Sequence, residues 1–202
     1  MLNSAQNMLR DDFDVIANWV HPNAKVLDLG CGDGALLKAL RERRNAHGYG
    51  IEIADENIVR CIANNVNVIQ MDLESGLSGF EAASFDFVIL SQTLQAMKNT
   101  EQTMLEMLRV GKQAIVTFPN FGHWSHRLQV IRGTMPVSDQ LPYQWYDTPN
   151  IHLCTLNDFE NFCASHAIRV LERRVMSGGS EVKTLPNLRG NLAIYRVEKA
   201  GA

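Results

Sequence analysis

Val26-Leu27-Asp28-Leu29-Gly30-Cys31-Gly32-Asp33-Gly34, followed by Gly50-Ile51-Glu52, is the part of this sequence that decides the fold. The apolar run before Gly30 has the composition of a buried parallel strand, and the glycines after it describe a loop that opens a helix. Glycines in that position let the backbone pass close to a ligand. Glu52 lies 22 residues beyond Gly30. That spacing puts a carboxylate at the tip of the second strand, within reach of the hydroxyls of a ribose. Loop and carboxylate together describe a nucleoside pocket.

Gly30-x-Gly32-x-x-Ala35 also satisfies the dinucleotide fingerprint, so charge has to separate the two ligands. A dinucleotide would place its pyrophosphate at the helix N-terminus, beside Asp28 and Asp33. Two like charges about 5 Å apart repel by roughly 3 kcal/mol at an effective dielectric of 20. S-adenosylmethionine carries a sulfonium and an ammonium group instead, so acidic residues around the loop suit it. The competing structural role for Asp33 is to complement the helix dipole in a turn. A nicotinamide oxidoreductase is therefore a distant alternative.

Asp28, Gly30, Gly32 and Gly34 match the D-x-G-x-G-x-G motif of the class I methyltransferases, which the chain resembles over most of its length. The resemblance implies binding of S-adenosylmethionine or S-adenosylhomocysteine. It assigns the ribose-binding carboxylate to Glu52, with Ile53 beside it. It assigns the third-strand acid that contacts the adenine amino group to Asp72, with Leu73 beside it, in Val68-Ile69-Gln70-Met71-Asp72-Leu73. Ser91, just past the fourth strand, would face the cofactor's methyl position.

The rest of the sequence is consistent with that frame. Its 202 residues are enough to bury about 70% of the extended-chain surface in one domain. Hydrophobic content of 46% and charged content of 20% are ordinary for a globular protein. A formal net charge of −3 leaves no electrostatic footprint for nucleic acid. Arg41, Arg43 and Arg44 cluster beside Glu42, as on a solvated helix face. No apolar run reaches the length of a membrane span, and the N-terminus lacks a signal peptide's basic and apolar regions. Cys31, Cys61, Cys154 and Cys163 form no C-x-x-C pair, which argues against a metal knuckle and suits a reducing cytoplasm.

Periodicity supplies the elements. Residues 10–20 read as an amphipathic helix through Phe13, Ile16, Ala17 and Val20, with Asp11, Asp12 and Asp14 favouring its dipole. Strands are expected at 25–29, 49–53, 66–71, 85–91 and 113–118. Helices alternate with them at 35–44, at 55–64 and after Thr100, a possible cap for a helix that Gly111 stops. Such alternation specifies a doubly wound parallel sheet, with ligands outside the carboxyl ends of its strands. Thr155-Leu156-Asn157-Asp158 resembles a capping box. Residues 168–175 and 192–197 would add a closing antiparallel pair, giving a Rossmann-like, mostly parallel sheet of seven strands. With that pair the sheet is expected to be complete, leaving little room for a separate substrate domain. Residues 176–190, rich in Gly, Ser and Pro, are expected to be mobile.

The acceptor side is less legible. Residues 119–154 form a connection longer than usual, as functional lids and binding loops are. It holds Phe121, His123, Trp124, His126, Tyr143, Trp145, Tyr146 and His152. The open readings are a lid, a docking surface, or a loop whose aromatics bury one another. The histidines and tyrosines are candidate bases, yet none has a partner at fixed spacing. Ser91-Gln92-Thr93-Leu94-Gln95 lacks the Asn/Asp-Pro-Pro-Tyr motif of nucleic-acid amino methyltransferases, and it holds no acid, base or thiol.

Taken together with Phe118-Pro119-Asn120-Phe121-Gly122-His123-Trp124 and Leu141-Pro142-Tyr143-Gln144-Trp145-Tyr146-Asp147-Thr148-Pro149-Asn150-Ile151-His152, these features resemble the MetW family of methionine-biosynthesis proteins. The resemblance implies association with MetX, the homoserine O-acyltransferase, and supplies no methyl acceptor. A working small-molecule methyltransferase is the alternative, because many such enzymes rely on proximity rather than a base.

Overall fold

The computed structural model describes residues 11–201. Helix α1 (Asp11–Trp19) leads into β1 (Lys25–Leu29), α2 (Ala35–Arg44), β2 (His47–Glu52), α3 (Asp55–Ala63) and β3 (Asn67–Gln70). The chain continues through β4 (Phe85–Ser91), α4 (Thr100–Val110) and β5 (Gly111–Pro119), and then α5 (Trp124–Ile131) and α6 (Leu156–Ser165). It closes with β6 (Ile168–Ser177), β7 (Ser180–Glu181), α7 (Pro186–Arg189) and β8 (Leu192–Lys199). All eight strands form one sheet in the order β3-β2-β1-β4-β5-β8-β6-β7. The first five are parallel, and β8 runs antiparallel between β5 and β6.

Strand alternation explains why the sheet is covered on both faces. Along β1 and β4, Leu27, Leu29, Val88 and Leu90 pack on one side with Met104, Met107 and Phe159 from α4 and α6. Val26, Phe87 and Ile89 point the other way, onto Ile16, Val20, Leu36 and Leu40 of α1 and α2. Successive side chains of a strand leave opposite faces, so an unbroken apolar run is what a doubly covered strand requires.

The expected α/β class and mostly parallel sheet are present, and the seven expected strands are joined by the two-residue β7. That strand lies in 176–190, which also carries α7. The end of this stretch is held from the neighbouring end of β5, because Asn120 Nδ2 donates to the carbonyls of Asn187 (3.0 Å) and Gly190 (2.8 Å). The amphipathic helix expected at 10–20 is seen as α1; its expected first residue lies outside the described residues. At α4 the cap position belongs to Asn99 rather than Thr100, whose hydroxyl donates to Met97 instead. The capping box of α6 forms in both directions between Thr155 and Asp158. Among the described residues no helix is long and apolar enough to cross a membrane.

Candidate functional site

Every residue singled out around the glycine loop arrives at the same edge of the sheet. Gly30 follows the last residue of β1, Glu52 is the last residue of β2, Asp72 lies two residues past β3, and Ser91 ends β4. In register, Leu29 pairs with Ile51 and Glu52 with Gln70. The strand order reverses between β1 and β4, and a crevice at such a switch point is where open parallel sheets bind ligands.

The loop is held by backbone bonds rather than by its own side chains. The N–H groups of Gly30 and Cys31 both donate to the Ile51 carbonyl, at 2.8 and 3.0 Å. Gly30 has φ 68°, and a Cβ there would stand 3.1 Å from the Thr93 side chain. Gly32 has φ 56° and presents the opposite case, since a Cβ there would meet nothing within 4 Å. The first glycine is required by the fold. The second faces open space at the carboxyl edge. Asp33 accepts the Ala35 N–H at 3.1 Å, so this acid serves the start of α2.

Glu52 ties the loop to β2. One carboxylate oxygen accepts the Gly32 N–H at 2.9 Å, and the other accepts the N–H groups of Ile53 (2.8 Å) and Ala54 (2.9 Å). Its side chain is thus buried and already oriented by three donors, with lone-pair capacity left on the oxygen that holds a single donor. Asp28 is buried beneath the loop. Ile53 stands 59% exposed at the edge, and Asp72 is exposed and accepts the Glu74 N–H at 2.9 Å, with Leu73 packed partly into the core.

Beneath the loop, Cys31 and Cys61 bring their sulfurs to 3.7 Å, and the Cys61 thiol donates to the Gly32 carbonyl at 3.1 Å. Burial, reinforced by Asp28 in the case of Cys31, pushes both thiols above their ordinary range. They are therefore neutral packing groups near neutral pH rather than nucleophiles.

Ser91 is drawn into a contact that sequence reasoning missed. Its hydroxyl donates to Asp12 at 2.7 Å, and Thr117 donates to the same carboxylate oxygen at 3.1 Å. Asp12 is fully buried, so the acid read as a dipole complement instead pins α1 across the ends of β4 and β5. Only the two neighbouring acids hinted at a charged turn; partners 79 and 105 residues away leave no local signal. Hydrogen bonds to a charged group each contribute about 1.5–3 kcal/mol. Asp12→Ala is expected to lower unfolding free energy by about 2–3 kcal/mol in urea titrations. A change below about 0.5 kcal/mol would show the network to be dispensable.

The candidate bases do not converge. His123 accepts the Ser125 N–H at the start of α5, and buried His126 contacts the Ser138 hydroxyl at 2.9 Å. His152 lies against the Lys98 carbonyl at 3.3 Å, and its N–H, like that of Ile151, donates to the Gln95 carbonyl. Tyr143, Trp145 and Tyr146 are exposed, by 46%, 73% and 70%, so this part of the connection is not a self-burying loop. Among the described residues no group of three or more His, Cys, Asp or Glu is placed to hold a metal ion.

Burial lowers the basicity of both His123 and His126; mutual repulsion adds to it at His123, while nearby carbonyls of Asn120 and Phe121 oppose it at His126. A histidine whose folded value is depressed takes up its proton more readily in the unfolded chain. Its contribution is intact above the ordinary value near 6.5 and is lost as pH falls below it. The melting temperature is expected to fall between pH 7 and pH 5, and less so in His126→Gln. An equal pH slope in both proteins would count against this assignment.

Comparisons with known proteins follow the same lines. The family described as "Methionine biosynthesis protein MetW" matches residues 10–197. The bifunctional methionine biosynthesis protein MetXA/MetW of Rhodopirellula baltica is 38% identical over 160 residues, covering 74% of this chain. The chain spans about a quarter (26%) of that relative's length. Among solved structures, an S-adenosylmethionine dependent methyltransferase from Mesorhizobium loti superposes with a TM-score of 0.70 at 13% identity, covering 94% of this chain and 98% of that one. The [4+2]-cyclase SpnF superposes at 0.67 and 16% identity, covering 95% and 82%. Likeness at this level shows the fold, and a cyclase among these neighbours shows that the fold is not confined to methyl transfer.

Proposed function

The chain belongs to the MetW family of methionine biosynthesis proteins, and from that premise we propose that it binds S-adenosylmethionine at the glycine loop and associates with the homoserine O-acyltransferase MetX, enabling or regulating homoserine acylation in the cytoplasm. The observation that carries this reading is an asymmetry at the sheet edge. The loop, Glu52 and Asp72 lie at one edge of the sheet, and the open space at Gly32 and the three donors that orient Glu52 support a nucleoside there. Asp28, Gly30 and Gly34 would complete the loop, Ile53 and Leu73 would flank the adenosine, and Ser91 would lie nearest the methyl group. On the acceptor side, the Ser91 and Thr117 hydroxyls face buried Asp12, not the crevice. The imidazole and the carboxylate nearest that side, His152 and Asp158, are engaged with the Lys98 carbonyl and with Thr155.

Support for the partner comes from the R. baltica relative, whose name joins MetXA and MetW in one chain. Fusion holds two modules at high effective concentration, which separate chains must replace with an interface. The exposed aromatics of the 119–154 connection are the surface best suited to supply it, since Trp and Tyr dominate interface energetics. Adding S-adenosylmethionine to the reconstituted complex is expected to change acyltransferase kinetics. Unchanged kinetics and unchanged complex affinity would rule out the regulatory part.

A second reading, a methyltransferase acting on a small molecule, is favoured by the apolar cavity beside the ends of β4 and β5. Acceptor-dependent formation of S-adenosylhomocysteine would select it, because a binding module gives none.

A further inference from the structure

The two edges of the sheet are finished differently. At one, β7 is only two residues long, and very short edge strands make poor templates for further pairing. At the other, β3 reads Asn67-Val68-Ile69-Gln70, with no charge, proline or bulge to discourage a neighbour. The Met71 N–H donates back to the Glu52 carbonyl of β2 at 3.1 Å. Backbone direction alternates along a strand, so the N–H and C=O groups of Val68 and Gln70 point away from β2, to the open edge.

Apolar side chains flank that edge on both faces. On one face Val68 packs against the cluster containing Cys61, which is the only residue that α3 fully buries. Val59 and Ile62 on the outer side of α3 are 65% and 64% exposed. On the opposite face Ile69 is exposed beside Ile51. Scattered apolar residues on a surface are ordinary, but three of them around one open strand edge mark an interaction site.

The charges along the edge identify the occupant. Asp55 opens α3 and accepts from Gln70 Nε2 at 2.6 Å, so an acid stands at the carboxyl end of β3. At the other end, Arg41 donates to the carbonyls of Asn64 and Asn65, just before β3 begins. Lys38 reaches Asn64 Oδ1 there at 3.4 Å. A surface acidic at one end and basic at the other complements an inverted copy of itself. A copy in the same direction would set acid against acid.

We propose that β3 and α3 form a two-fold interface with a second copy of this chain, the two β3 strands pairing antiparallel about Ile69. In that register Val68 of each copy exchanges backbone hydrogen bonds with Gln70 of the other, and Ile69 meets its own counterpart. Val59 and Ile62 of the two α3 helices come alongside, and Asp55 faces the end that carries Arg41 of the other copy. The edge lies four strands from β5, so the interface leaves the 119–154 aromatics free. It stands whether or not the glycine loop binds S-adenosylmethionine.

Sedimentation equilibrium of the full chain, alone in solution, tests it. A reversible monomer–dimer equilibrium with a dissociation constant of about 1–50 µM is expected. Ile69→Lys, and separately Val59→Lys combined with Ile62→Lys, should each weaken it about 30-fold, with the circular dichroism of the fold unchanged. Asp55→Lys and Arg41→Glu should each weaken it as well. An equimolar mixture of those two variants should recover the dimer, because both of its charge contacts again join opposite signs. If Arg41→Glu does not fold, the Ile69 and α3 variants decide. Monomer at every concentration up to about 200 µM overturns the proposal. A dimer untouched by the Ile69 and α3 substitutions also overturns it, as does a mixture no more associated than its components.

Discussion

Replacing Glu52 with alanine is expected to weaken S-adenosylmethionine binding at least tenfold and to lower stability by about 2 kcal/mol. Both effects follow from one carboxylate with two duties. Its bond to the Gly32 N–H holds the loop against β2, and its bonds to the Ile53 and Ala54 N–H groups order the turn that follows β2. Its spare acceptor capacity is what a ribose hydroxyl would use. Loosening the loop alone would also cost affinity, so the two duties need separating. Comparing 5′-methylthioadenosine with its 2′-deoxy analogue does this as a double-mutant cycle. The native protein should prefer the ribose form about tenfold, and Glu52→Ala should lose that preference. A preference that survives the substitution would show Glu52 to be a loop tie and nothing more.

The second large effect concerns the exposed aromatics. Trp145 and Tyr146 meet edge to face, with centroids 5.7 Å apart and planes at 89°, and both are mostly solvent-exposed. Such a pair contributes little to the isolated fold, yet central aromatic anchors of an interface cost 2 kcal/mol or more when truncated. Trp145→Ala and Tyr146→Ala are each expected to weaken the complex with homoserine O-acyltransferase about 30-fold in a binding titration, while leaving the melting temperature within about 1 °C. Unchanged affinity in the double variant would move the interface elsewhere.

How much of this was legible in the sequence depended on how local each signal was. The loop from Gly30 to Gly34, the acid at the tip of β2 and the apolar runs of β1 and β4 are written within a few residues, where strand alternation and turn chemistry act directly. The Thr155–Asp158 capping box is likewise an i,i+3 relation, and it formed as read. The position of β8 between β5 and β6 could not be read in this way, because strand order follows from packing across the whole sheet. Helix α5 was hidden inside an aromatic connection, where Val130 and Ile131 remain exposed and leave no amphipathic stripe. The role of Asp12 was hidden for the same reason. A buried carboxylate meeting two hydroxyls from strands 79 and 105 residues away is a property of tertiary contact. Ser91 shows the limit most clearly, because its position at the end of β4 was legible and its bond to Asp12 was not.

The most direct test is a calorimetric titration of the purified protein with S-adenosylmethionine, repeated with the acyltransferase present. The account predicts saturable micromolar binding that changes at least fivefold with the partner, a coupling of about 1 kcal/mol between the two sites. No binding in either titration would contradict it, leaving the glycine loop and Glu52 as architecture alone.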